Sequence, residues 1–315
     1  MSEFAIETKE LTKRYGKVTA LDHLNLRVPE GALFGFIGPN GAGKTTTLRL
    51  LAGLLDPDEG EIWLAGRRMS DDSREVRRLI GYMPDFFGVY EEMRVWEYLD
   101  FYARCYEVPA SRRAAIVNDL LALVGLLDKR DDDVNTLSRG MQQRLCLAHT
   151  LVHEPQILLL DEPASGLDPR ARVEMRELLR ELSRMGKTIV ISSHILAELA
   201  EMCTQIGIIE RGQLIISGDM ESIRRQMTRE RLLHIRVLGD PNAALACLDG
   251  YPGIEQAVLI PQGNHSPLIE VPFSGDEQAM AGLLAHLVVS GISVISFQEV
   301  GSDLEELFLR LTEAT

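Results

Sequence analysis

The stretch Gly38-Pro-Asn-Gly-Ala-Gly-Lys-Thr45 decides the fold of this chain. It fits the pattern G-x-x-x-x-G-K-[ST] at every fixed position. An apolar run at residues 32–37 leads into it, and a helix-like segment at residues 46–52 follows. Glycines let backbone N–H groups turn inward, and the start of a helix adds partial positive charge. The sequence therefore predicts a phosphate-binding loop between a strand and a helix.

The residues of this predicted loop have separate expected roles. Lys44 is expected to reach the β- and γ-phosphates of a nucleoside triphosphate, and the Thr45 hydroxyl to face Mg²⁺. The residues expected to bind the nucleotide here are Gly38, Pro39, Asn40, Gly41, Ala42, Gly43, Lys44, Thr45 and Thr46. The loop thus predicts ATP or a related nucleotide as ligand, together with Mg²⁺.

A second segment, Ile157-Leu-Leu-Leu-Asp-Glu162, ends in two adjacent carboxylates. Its four apolar residues predict a buried strand, and α/β sheets bind their ligands at the carboxyl ends of strands. Asp161 is therefore expected to bind Mg²⁺, and Glu162 to orient the attacking water or accept its proton. The alternative is an acidic pair on the surface, which the following Pro-Ala-Ser-Gly-Leu-Asp168 disfavours.

Composition limits the classes of function. The formal net charge of −14 argues against a general nucleic-acid surface, because such surfaces need clustered Lys and Arg. No apolar run approaches the roughly 18–20 residues that span a bilayer. The acidic N-terminus lacks the layout of a secretion signal. The four cysteines have no metal-ligand spacing and are expected to be buried thiols. These observations predict a cytoplasmic protein without a nucleic-acid partner.

The pattern around these motifs predicts the wider architecture. Strand-like and helix-like segments alternate after the loop, which indicates a parallel α/β sheet. Ahead of the loop, residues 4–8 and 20–28 are predicted as strands of an antiparallel sheet, joined by a loop at residues 13–17. Residues 86–155 show helical spacing of apolar residues.

Taken together, the motifs resemble the ATP-binding subunit of an ABC transporter over roughly residues 4–222. The signature segment, Leu137-Ser-Arg-Gly-Met-Gln-Gln-Arg144, is similar to the family's signature motif. Ser165-Gly-Leu-Asp168 resembles its D-loop, and Ser192-Ser-His194 its switch segment. Tyr15 stands where the family has an aromatic residue before the phosphate loop. These elements follow one another in the family's order.

The resemblance assigns roles to further residues. It implies that Tyr15 stacks on adenine and that His194 contacts the γ-phosphate as a catalytic residue beside Glu162 and Lys44. Ser138 and the Gly140 backbone would contact the γ-phosphate held by the opposite subunit. A head-to-tail homodimer, or a pair with a related ATPase subunit, would thus enclose two ATP molecules.

Two departures from the family pattern stand out. In the signature segment, Arg139 and Met141 replace a glycine and a glutamine of the usual L-S-G-G-Q, while Ser138 and Gly140 are kept. At the end of Gly81-Tyr-Met-Pro-Asp85 the family normally has glutamine. Because carboxylate oxygen suits Mg²⁺, Asp85 is expected to remain a metal ligand beside Thr45 and Asp161.

The resemblance and the pattern together give the fold class and domains. Residues 1–222 are expected to form a P-loop ABC ATPase domain with a parallel core sheet, an antiparallel β subdomain and a helical subdomain at about 86–155. Residues 223–231 are charged and are expected to form a helical linker. Residues 232–315 show the order strand, helix, strand, strand, helix, strand, which predicts a ferredoxin-like α+β domain. A last helix is predicted at 304–312.

The resemblance implies an energy-coupling subunit, bound to separate membrane permease subunits at the cytoplasmic face of the membrane. Phe86, Phe87 and Tyr90 are expected either to pack in the core or to contact that permease. The ending Ser302–Thr312 resembles export-type subunits. A soluble ABC ATPase of translation or DNA repair is the alternative, disfavoured because tandem units, coiled coils and zinc motifs are missing. A third possibility is a C-terminal domain that binds a regulatory ligand, for which no motif is present.

Overall fold

The computed structural model describes residues 3–70, 73–86, 88, 92–227, 231–254, 256–262 and 265–300. The chain divides into two compact units, Met1–Met220 and Glu221–Thr315. The predicted helix at 304–312 lies outside the described residues, as do Phe87 and Tyr90. None of the described helices combines the length and apolar character that a membrane-spanning helix requires.

The first unit contains both strands and helices. Its strands are β1 (Phe4–Tyr15), β2 (Val18–Leu24), β3 (Arg27–Pro29), β4 (Leu33–Ile37), β5 (Glu59–Leu64), β6 (Arg67–Arg68), β7 (Ile80–Met83), β8 (Ile157–Asp161), β9 (Thr188–Ser193), β10 (Gln205–Glu210) and β11 (Gln213–Asp219). Its helices are α1 (Lys44–Leu51), α2 (Ser73–Arg78), α3 (Val95–Cys105), α4 (Ala110–Leu123), α5 (Arg139–Leu151), α6 (Pro169–Arg184) and α7 (Leu196–Ala200). Helix α8 (Met220–Met227) follows at the start of the second unit.

The central sheet has the strand order β11-β10-β4-β9-β8-β7. Its strands pair in parallel except for the edge strand β11. Every residue of β4, β8 and β9 is buried, as expected for strands that are covered on both faces. Ile37 pairs with Ser193, and Asp161 pairs with Ser192. The carboxyl ends of these three strands therefore lie side by side.

The antiparallel sheet differs in detail from the prediction. It has the strand order β2-β1-β5-β6, and β3 also pairs with β1. The single strand predicted at residues 20–28 is wrong, because the chain breaks at Asn25. The Asn25 side chain accepts the Glu10 N–H (3.0 Å) and donates to the His23 carbonyl oxygen (2.9 Å), so local polar contacts replace the sheet ladder. Strand β1 also continues to Tyr15, which shortens the predicted loop to a tight turn.

Two histidines, His149 of α5 and His153 just beyond its end, stack on Tyr102 of α3 and on Tyr106, which follows α3. The His149 ring stacks on Tyr102, with ring centres 4.0 Å apart, and the His153 ring stacks on Tyr106 at 3.9 Å. Burial lowers the pKa of His149 to about 4, with a smaller contribution from His153. These rings are therefore neutral packing groups at pH 7.

The second unit is a four-stranded antiparallel sheet with helices. Its elements are β12 (Arg231–Leu238), α9 (Pro241–Leu248), β13 (Val258–Gln262), β14 (His265–Phe273), α10 (Glu277–Val289) and β15 (Ser293–Val300). The strand order is β13-β14-β12-β15. Alternate strand residues such as Leu233, Ile235 and Val271 form a fully buried core with Leu248 and Leu283 of the helices. One face of the sheet thus packs on both helices.

Candidate active site

The phosphate loop is held between two strands. Gly43 has φ 111°, and a Cβ there would lie 2.7 Å from Leu21 Cδ2 and 2.8 Å from the Ala20 carbonyl oxygen. A Cβ on Gly38 would lie 2.3 Å from the Ile209 carbonyl oxygen. The loop backbone therefore packs directly against β2 and β10, at distances that only glycine permits.

Lys44 stands at the centre of the site. Its Nζ donates to the carbonyl oxygens of Gly38 (2.6 Å) and Pro39 (3.2 Å) and lies 3.8 Å from Glu162 Oε1. The residue is 7% exposed. Burial lowers the pKa of Lys44, and the charges of Glu162 and Asp161 oppose that shift. A buried cation is thus already placed between the loop and the two carboxylates.

Ser192 links the two carboxylates at the end of β8. Its Oγ donates to Asp161 Oδ1 (2.6 Å) and accepts the N–H of Glu162 (2.9 Å). Asp161 is 1% exposed, and Ser192 is fully buried. This role of Ser192 was not predicted from the sequence. The signal was available, since Ser192 is a polar residue at the end of an apolar strand.

Glu162 adopts an unusual backbone conformation. Its φ is 49°, a left-handed value that costs a non-glycine residue about 1 kcal/mol or more and persists only where the surroundings fix it. The carboxylate lies 3.0 Å (Oε2) and 3.1 Å (Oε1) from Nδ1 of His194. The turn thus directs Glu162 towards both Lys44 and His194.

The structure brings Lys44, Asp161, Glu162 and His194 together. Lys44 Nζ also contacts the predicted residues Gly38 and Pro39. Among the described contacts, none joins Tyr15, Asp85, Ser138 or Gly140 directly to that group. Tyr15 is 47% exposed at the end of β1, Asp85 is exposed just beyond β7, and Ser138 and Gly140 lie at the start of α5.

The oxygen donors of the site fit Mg²⁺. No group of three His, Cys, Asp or Glu side chains surrounds a potential metal position in the part of the chain that the structure describes. Mg²⁺ does not need such a cage, because it keeps several waters and binds through one or two carboxylates and the phosphates of its substrate. The buried Asp161 carboxylate beside Lys44 suits that mode of binding.

A glycine loop between a strand and a helix, with a buried carboxylate at a nearby strand end, defines a P-loop nucleoside triphosphatase. The chain matches the family described as ABC transporter over residues 21–165. It is 32% identical to the uncharacterized ABC transporter ATP-binding protein YhcH of Bacillus subtilis (strain 168), over 98% of this chain and 96% of that protein. It is 41% identical to the Nod factor export ATP-binding protein I of Paraburkholderia xenovorans (strain LB400), over 69% and 72%.

The chain is also similar to a solved structure of an ATP-binding cassette. An ATP-binding cassette in a dimeric post-hydrolysis state, bound to ADP and Pi, matches 68% of this chain and 98% of its own, with TM-score 0.62 and 27% identity. The chain belongs to the ABC transporter family as an ATP-binding subunit, an ATPase that drives transport. The resemblance seen in the sequence is confirmed. Nothing in the comparisons favours a role in translation or DNA repair.

Proposed function

We propose that Glu162 is the group that activates water for ATP hydrolysis. Water attacks the γ-phosphorus, the bond to the β–γ bridging oxygen breaks, and Glu162 orients the water and accepts its proton. Lys44 and the amides of the phosphate loop bind the β- and γ-phosphates, and His194 contacts the γ-phosphate. The observation that carries this proposal is the Glu162 carboxylate, 3.8 Å from Lys44 Nζ and 3.0 Å from His194 Nδ1.

Three oxygen-bearing side chains would hold Mg²⁺ at this site: Thr45, Asp161 and Asp85. When bound, the ion neutralises charge on the phosphate oxygens. Ser192 supports this arrangement, because its hydroxyl fixes one oxygen of Asp161.

The second half of the site comes from another subunit. In our proposal Tyr15 stacks on the adenine of its own chain's nucleotide, while Ser138 and the Gly140 backbone contact the γ-phosphate on the partner. Two chains, or this chain and a related ATPase subunit, then enclose two ATP molecules head to tail. The dimeric state of the solved cassette and the exposure of Ser138 support this arrangement.

The transport partner in this proposal is a separately encoded membrane permease, and transport is export, as the name of the Nod factor relative suggests. The subunit then lies at the cytoplasmic face of the membrane. Phe86, which is 89% exposed, is available for the permease.

The domain assignment is also part of the proposal. Residues 1–222 form the ABC ATPase domain, 223–231 a linker, and 232–315 an accessory domain. The strand order β13-β14-β12-β15, with two helices on one face, supports a ferredoxin-like fold for that domain.

The substitution Glu162→Gln tests the central assignment. It removes the proton acceptor but keeps the shape, so we expect phosphate release to fall roughly 100-fold or more. The protein should still bind ATP and accumulate as a closed dimer, detected by light scattering after size-exclusion chromatography with ATP and Mg²⁺. Glu177→Gln, at an exposed position paired with Arg180, is the matched control. A Glu162→Gln protein that hydrolyses ATP at the wild-type rate would contradict the assignment.

A further inference from the structure

The first turns of α5 contact the residues that follow Glu162. We call residues 162–166 the glutamate turn. A Cβ on Gly166 would lie 2.5 Å from Arg139 Cζ and 2.6 Å from each Nη atom. These nearly equal distances mean that the guanidinium lies flat against the glycine. Gln143 Nε2 donates to the Ser165 carbonyl oxygen (3.2 Å). Two side chains of α5 thus hold the far end of the glutamate turn.

The contact continues through the backbone to Glu162. The N–H of Ser165 donates to the carbonyl oxygen of Glu162 (3.0 Å), and the Glu162 N–H donates to Ser192 Oγ. Glu162 is therefore fixed on both sides of its strained backbone. Ser192 acts from β9, and Arg139 and Gln143 act from α5. A left-handed conformation at a non-glycine residue requires this kind of support from its surroundings.

Arg139 and Gln143 make few other polar contacts in the part of the chain that the structure describes. Within the described residues, no hydrogen bond or ion pair engages the guanidinium of Arg139, an exposed residue whose guanidinium lies against Gly166. Gln143 is 2% exposed, and its Oε1 has no partner among the described groups. A buried amide oxygen that has no hydrogen-bond partner is destabilising. Gln143 is therefore buried with an unpaired oxygen while its amide group donates to Ser165.

We propose that Arg139 and Gln143 are positioning residues that hold the glutamate turn of their own chain, and through it Glu162, in the geometry for hydrolysis. The proposal rests on the role proposed above for Glu162. It also gives a function to Arg139, which stands where the family's usual signature has glycine. Contact of Arg139 with the nucleotide of a partner subunit is the competing outcome, and the experiments below separate the two.

The first experiment measures kcat and KM separately. We expect Arg139→Met and Gln143→Met to lower kcat roughly 5- to 20-fold, because small displacements of a reacting group are costly, with KM for ATP within about twofold. Arg139→Lys keeps the charge but loses the flat group, and should recover less than half of the loss. Arg170→Met is the matched control, because Arg170 is exposed and pairs with Glu174. Unchanged kcat in both methionine variants would overturn the proposal.

The second experiment asks in which chain Arg139 acts. A trace of active protein is mixed with a large excess of the Glu162→Gln protein, so that nearly every active chain faces an inactive partner. We expect Arg139→Met to lower turnover when it is in the active chain and to have no effect when it is in the excess chain. The reverse pattern would place Arg139 at the partner's nucleotide and overturn the proposal. Wild-type turnover by Glu162→Gln alone would instead show that the role of Glu162 is wrong.

Discussion

The chain adopts a left-handed backbone conformation after two strands of the same sheet, β4 and β8, and it does so by different means. After β4 the phosphate loop reaches it at Gly43, with φ 111°. After β8, two strands away, the glutamate turn reaches it at Glu162, with φ 49°. Glycine adopts this conformation readily, whereas glutamate must be held in it. The phosphate loop is therefore encoded by its own residues, and the glutamate turn by its neighbours.

Chemistry explains why the left-handed residue directly after β8 is a glutamate and not a glycine. A carboxylate is needed beside Lys44 and His194, so the residue that turns the chain must also bear the functional group. Ser192, Gln143 and Arg139 supply the support that a glycine would not need. The comparison predicts that remote substitutions disturb Glu162, while only local ones disturb the phosphate loop.

The largest effect is expected from Gly43→Ala. An added methyl group would meet Leu21 Cδ2 and the Ala20 carbonyl oxygen within 2.8 Å, in a backbone conformation that alanine resists. We expect the affinity for a fluorescent ATP analogue to fall about 100-fold, because the loop backbone that binds the phosphates would be displaced. Gly41→Ala is the control, because Gly41 has φ 84° but open space around its Cβ position. Equal losses in both variants would show that backbone strain, and not contact with β2, is decisive.

Ser192→Ala should have the next largest effect. It removes the donor to Asp161 and the acceptor of the Glu162 N–H at once. We expect kcat to fall about tenfold, equivalent to the loss of one or two hydrogen bonds, with binding of ATP in the absence of Mg²⁺ almost unchanged. Ser193→Ala is the control, since Ser193 Oγ accepts only the N–H of Ile195 among the described contacts. Equal kcat values for the two variants would refute the supporting role of Ser192.

The difference between the phosphate loop, which depends on its own residues, and the glutamate turn, which depends on distant ones, also explains which features could be predicted from the sequence. The phosphate loop and the Asp161–Glu162 pair were predicted from short local patterns. The break at Asn25 and the double role of Ser192 were not, because each depends on a partner many residues away. Arg139 was noticed only as a departure from the family pattern. Its contact with Gly166 joins the start of α5 to the glutamate turn, which only the folded chain brings together.

The smallest effect is expected at a third strand end. Asp85 follows β7, the neighbour of β8, and is exposed, with neither a glycine turn nor a supporting side chain described for it. Its proposed contribution is a carboxylate oxygen for Mg²⁺, which an amide replaces less well. Asp85→Gln should therefore raise the Mg²⁺ concentration for half-maximal ATPase activity about threefold and leave kcat within about twofold.

The removed charge gives this prediction a second readout. With chelated Mg²⁺, ATP should bind Asp85→Gln more tightly than wild type, because one negative charge near the phosphates is gone. Asp131→Gln, at an exposed residue paired with Arg130, is the control for loss of charge elsewhere. If the Mg²⁺ titrations of Asp85→Gln and wild type coincide, Asp85 lies outside the metal site. The phosphate loop after β4 and the carboxylates at the end of β8 would then hold Mg²⁺ and ATP without a contribution from Asp85.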